Sequence, residues 1–175
     1  VALGATVESM SLEDARWLMD VNFWGVVHGT KAFLHHLLAA GEGHIVNVSS
    51  VFGLVSIPTQ SAYNASKFAV RGFTDALRLE LDLGDTAVRT AIARTARFDD
   101  SGAGLAAGAD ERAARFAKAA RTSPERAAEV ILDGVARKRS RILIGPDAGV
   151  FALLARLPTG VAERVILAGA RRQAR

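Results

Sequence analysis

Apolar residues recur along the chain at two periods, and the change between them marks the elements. Ser11 is a good helix N-cap, with Glu13 and Asp14 close behind it near the positive helix end. From there Val21, Trp24, Val27, Phe33, Leu37 and Leu38 keep helical spacing to about Ala40, with a break expected near Asp20 and a stop at Gly41. The run His44-Ile45-Val46-Asn47-Val48-Ser49 is short, β-branched and poor in charge, which predicts a strand buried in a parallel sheet. After a loop holding Gly53 and Pro58, a second long helix is predicted from Ser61 to about Leu83. Small residues lie early in it, and Phe73, Leu77 and Leu81 share one face later.

The pattern weakens beyond that helix. Val88 to Ala93 reads as a poor strand, and 99–108 as a loop rich in Gly and Asp. Ser123-Pro124-Glu125 is a strong helix start, with serine as cap and proline at the first position, and this helix is expected to reach Lys138. Arg141-Ile142-Leu143-Ile144 predicts another strand, ended by Gly145-Pro146. Amphipathic helices over 147–156 and 159–172 complete the chain. This order gives one α/β domain. Its parts are a helix-strand-helix region (1–83), an irregular, loop-like region (84–122), and a C-terminal helix, strand and helix pair (123–175).

Composition narrows the chemistry. The 175 residues include no cysteine, which excludes disulfides, thiolate catalysis and Cys-based zinc sites and fits a cytoplasmic protein. The opening residues Val1 to Thr6 do not read as a signal peptide, and no apolar run is long enough to span a membrane. The net charge of +4 is a tail property, since 137–175 holds nine Lys/Arg against two Asp/Glu. A solvated helix face explains it better than nucleic-acid binding, for which no motif is present; contact of the C-terminal helices with a membrane surface is the weaker alternative. A metal site is not expected. His35 and His36 are adjacent and are expected to diverge on a helix, while His28 and His44 lack carboxylates at ligand spacing.

The single tyrosine, Tyr63, is followed by Lys67 one helical turn later, which places both side chains on one face. A phenol ionises near 10, and an ammonium about 4 Å away contributes roughly 4 kcal/mol at an effective dielectric of about 20. That is enough to make the phenol a usable acid/base. The pair alone is common by chance. Its setting adds weight, because Ser49-Ser50 stands where a predicted strand ends, and ligands collect at such ends in open α/β sheets. A serine hydroxyl and a phenol converging on one point suit a carbonyl or alcohol oxygen.

At Gly43-His44-Ile45-Val46-Asn47-Val48-Ser49-Ser50 and Tyr63-Asn64-Ala65-Ser66-Lys67 the sequence resembles the classical short-chain dehydrogenase/reductase family. Val21-Asn22-Phe23-Trp24-Gly25 resembles the family segment that bears an active-site asparagine. The resemblance implies a Rossmann-like, doubly wound parallel sheet, here incomplete with two or three strands, flanked by helices. It implies Ser50, Tyr63, Lys67 and Asn22 as catalytic residues. Tyr63 would be the proton donor and acceptor, Lys67 would lower its pKa, Ser50 would orient the substrate oxygen, and Asn22 would hold a water. Hydride would pass between NAD or NADP and a carbonyl or alcohol substrate, with Tyr63, Lys67 and Thr90 touching the cofactor. A homo-oligomer is also implied.

Two departures from the pattern bear on that reading. The family's glycine-rich turn belongs before residue 1, so this chain reads as the C-terminal, catalytic part of the fold, expected to be inactive by itself. The alternative is a non-catalytic remnant that associates through its long helices. The family also has a Pro-Gly turn after the strand that follows the catalytic helix. Here Thr95-Ala96 is either a degenerate form of it, or about ten residues including that strand are deleted. Deletion is the favoured reading, with Thr90 as the surviving cofactor contact. Ser49 is expected to serve as a structural cap.

Overall fold

A computed structural model describes residues 1–95 and 122–173. Helix α1 (Leu12–Met19) begins where expected, with Ser11 accepting from the Asp14 N–H at 3.0 Å. The break near Asp20 is real and takes the form of a π-helical turn, Asp20–Trp24, before helix α2 (Gly25–Ala40) continues to Gly41 in the left-handed conformation. Strand β1 (Gly43–Ser50) follows, then a single 3₁₀ turn, Val51–Gly53. Helix α3 (Ser61–Leu83) matches the predicted span.

Strand β2 (Val88–Thr95) corrects the sequence reading of this region. Its first six residues are the span read as a poor strand, and the strand itself is present in this region. All eight of its residues pair in parallel with β1, from Gly43 opposite Val88 to Ser50 opposite Thr95. Val88, Ala91, Ile92 and Ala93 are buried, so tertiary packing supplies what the weak local pattern lacked. Helix α4 (Pro124–Ala136), strand β3 (Arg141–Ile144) and helices α5 (Pro146–Leu154) and α6 (Thr159–Gln173) complete the described chain.

The three strands form one parallel sheet in the order β1-β2-β3. Its two faces carry different helices, as alternation along a strand requires. Ala91, Ala93, Ile142 and Ile144 face α4, packing with Val46, Ala127, Val130 and Ile131. Val88 faces the other way, onto Leu77 and Leu81 of α3 with Leu34, Leu37 and Ile45 close by. On that second face the Asn47 amide donates to Thr74 Oγ1 at 2.9 Å, a buried bond that fixes how α3 lies on β1. Strand β1 is an edge here, and its Val48 is 53% exposed rather than enclosed. Ser50, Thr95 and Ile144 end together, which defines the carboxyl edge of the sheet.

Candidate active site

The edge at Ser50 is where the chemistry-bearing side chains gather. Ser50 closes β1 and caps the 3₁₀ turn, since its Oγ accepts from the Phe52 N–H at 3.2 Å. The same hydroxyl donates to the Thr95 carbonyl at 3.4 Å, a long and weak bond. The oxygen is therefore fixed by the backbone while its proton is loosely held. Gly53 in that turn is required by close approach: a Cβ there would stand 2.6 Å from the Lys67 carbonyl.

Phe52 links the serine to the helix opposite. Its ring meets Tyr63 edge to face at 6.0 Å and 87°. Val51, Phe52 and Ala148 form an apolar patch with Ile57, Tyr63 and Phe151 packed against it. Thus the 3₁₀ turn and helix α5 supply the apolar cluster against which the partly buried tyrosine ring packs. Lys67 lies one turn further along α3, and its Nζ sits 5.5 Å from the Tyr63 ring centroid. Among the described residues no carboxylate lies within ion-pair distance of Lys67. Burial lowers the Lys67 pKa from the ordinary 10.5, with no acid to oppose it.

Asn22 is buried on the π-helical turn, and its carboxamide is committed to protein groups. It donates to the Val1 carbonyl at 2.9 Å and to Ser66 Oγ at 3.2 Å, and its Oδ1 accepts from the Val1 nitrogen at 3.1 Å. Ser66 in turn donates to the Tyr63 carbonyl at 2.8 Å. The asparagine thus reaches Tyr63 through the helix backbone. Ser49 is not a cap: its hydroxyl donates to the Lys67 carbonyl at 3.3 Å and ties β1 to α3.

Thr90 stands apart from this group, which corrects its expected place. It pairs with Ile45, five residues before the Ser50–Thr95 level, roughly 16 Å along the strand at about 3.3 Å per residue. It is buried with Oγ1 unpartnered, and it lines a 230 Å³ hollow with Arg78, Leu81 and Ser140 at the far end of the sheet. Thr90 is expected close to the loop where the strand is read as deleted, whereas it lies near the start of β2. The histidines also differ from expectation, since the His35 and His36 rings lie 3.8 Å apart instead of diverging. Among the described residues no group of three His, Asp or Glu is arranged for a metal.

Sequence reasoning did not single out Phe52 or Arg94. Phe52 carries no signal beyond its place two residues after Ser50. Arg94 could have been found by period-two counting, because it falls on the strand face shared with Val88 and Ile92, where a charge is out of place.

The short chain dehydrogenase family profile matches residues 2–99. SadH of Mycobacterium tuberculosis is 42% identical over 182 residues, covering 97% of this chain and 63% of its own length. The uncharacterized oxidoreductase YxnA of Bacillus subtilis is 30% identical over 158 residues, covering 90% of this chain and 44% of its own. Among solved structures, a short chain dehydrogenase/reductase from Burkholderia phymatum in complex with NAD superposes at TM-score 0.72 with 28% identity, over 88% of this chain and 61% of that one. One from Burkholderia cenocepacia in complex with NADP superposes at 0.73 with 21% identity, over 95% and 66%, a likeness of fold. The chain spans less than two thirds of the length of each of these four proteins.

Proposed function

The chain belongs to the short chain dehydrogenase family, and from that premise we propose that it carries the acid/base half of an NAD- or NADP-dependent oxidoreductase acting on a carbonyl or alcohol. The observation that supports this most is the half-buried Lys67 ammonium, 5.5 Å from the Tyr63 ring centroid and without an acid partner among the described residues.

In this reading Tyr63 donates its phenolic proton to the substrate oxygen when a carbonyl is reduced, and takes it back when an alcohol is oxidised. A cation beside the ring favours the phenolate, so the proton moves at lower cost than from an isolated tyrosine. Ser50 adds a second hydrogen bond to the same oxygen, its position held by the Phe52 N–H and its proton released from the long contact to Thr95. Asn22 and Ser66 act as positioning residues that hold the first turns of α3 against the π-helical turn. A bound nicotinamide cofactor would supply or accept the hydride. Tyr63 and Lys67 fit the hydroxyl-bearing part of such a cofactor, because no carboxylate among the described residues pairs with the lysine. Thr90 does not fit, being at the opposite end of β2.

The test is turnover by the native protein, followed by cofactor absorbance with NADH and NADPH against a panel of aldehydes and ketones. Tyr63→Phe is expected to lower the rate about 100-fold or more, the usual weight of a positioned acid. Tyr63→Phe turning over at the parental rate would contradict the assignment.

A further inference from the structure

Arg94 is the one charged residue that is buried among the described residues, at 2% exposed. It is the penultimate residue of β2 and lies on the face that packs against α3, opposite Ser49 in β1 and Leu143 in β3. Its Nε and Nη2 make no hydrogen bond. A guanidinium taken out of water normally spends its forked donors on a carboxylate, phosphate or carbonyl, since leaving them empty is costly.

Its neighbours make the imbalance larger. Burial depresses the Arg94 pKa to about 10, and Arg71 of α3 and Arg141 of β3 add to the depression, with only Asp75 opposing. Asp75 is already shared. Arg71 Nε approaches it at 3.8 Å and Arg141 Nη2 at 3.9 Å. Both separations exceed the charge-assisted hydrogen-bond range of about 2.7–2.9 Å, so neither arginine has committed a donor to it. The side chains of Arg71, Arg141 and Asp75 are 35%, 58% and 29% exposed, so these three reach solvent while Arg94 does not.

We propose that Arg71, Arg94 and Arg141 form a binding site for a small oxyanion, either free phosphate or the phosphate group of a larger metabolite. A tetrahedral dianion suits three neighbouring guanidiniums, because each offers planar, paired donors and the charge of the described neighbours, one carboxylate against three cations, lacks two negative charges. The site is separate from the phenol and serine already described. It adjoins them through Thr95, which follows Arg94, and through Lys67, one helical turn before Arg71.

Thermal melting of the chain with inorganic phosphate, at ionic strength held constant with chloride, tests the proposal without any redox assay. A saturable rise in Tm with phosphate and none with chloride is expected. Arg141→Gln, an exposed change that leaves the core alone, is expected to weaken the apparent phosphate affinity at least tenfold. Arg94→Met is expected to melt higher than the parent without phosphate, since it removes an unpaired buried cation, and to lose the response. Glycerol 3-phosphate acting at lower concentration than inorganic phosphate would identify the metabolite form; equal concentrations would identify the free anion. No saturable shift, or the same shift in both variants as in the parent, overturns the site.

Discussion

Lys67 illustrates how a single residue carries opposed demands. Half-buried and without an acid among the described residues, it is held below its ordinary value of 10.5 by loss of hydration. Between the depressed value and 10.5 the unfolded chain binds a proton that the folded chain has lost, so stability rises with pH across that window and the cost is full below it. Lys67→Met should therefore raise Tm at neutral pH, with the gain vanishing in alkali. A gain of equal size throughout the pH range would show that charge is not its origin. Thr90→Val gives the contrasting case. Its hydroxyl has no partner and lies far from Ser50, so the change should leave cofactor affinity nearly unchanged and raise Tm. A loss of cofactor affinity in Thr90→Val, measured by fluorescence titration of the native protein, would restore the role that the family resemblance implied for it.

At the scale of elements, the sheet edge is held to helix α3 by two devices. One is the buried Asn47–Thr74 bond; Thr74→Ala strands the asparagine amide and should cost about 1–3 kcal/mol in chemical denaturation. The other is the close approach at Gly53, where Gly53→Ala pushes against the Lys67 carbonyl and should cost about 1–3 kcal/mol while lowering activity. Gly53→Ala with parental stability and turnover would mean that the turn does not position Lys67. Much of this layer was legible in sequence. The α3 span, the caps at Ser11 and Ser123 and the strand at Arg141 each rest on strong local signals, and the interruption at Asp20 showed as a break in spacing. Strand β2 was legible only as a poor strand over 88–93. Its alternation is blurred by Ala91, Ala93 and a buried arginine, and its stability comes from pairing along the whole of β1. Ser49 was misjudged for a related reason, since its partner, the Lys67 carbonyl, is distant in sequence.

For the whole molecule, apolar surface stands out along the first two helices. Trp17 and Trp24 are 50% and 47% exposed, with Val21 and Phe33 also outward. Aromatic surface of this kind favours association, and we propose that the chain self-associates through this face. Sedimentation should show weight rising with concentration, and Trp17→Glu with Trp24→Glu should suppress it; a monomer at all concentrations would contradict that proposal. Among the described residues no helix is long and apolar enough to cross a membrane. The enzymatic reading depends on Tyr63 sensing Lys67, and the chain offers a direct probe because Tyr63 is its only tyrosine. Its ionisation can be followed by ultraviolet absorbance in the parent and in Lys67→Met. The expected result is a phenol that ionises below the ordinary tyrosine value near 10 and moves upward when the lysine is removed. A midpoint in the ordinary range, unmoved by Lys67→Met, would contradict the account.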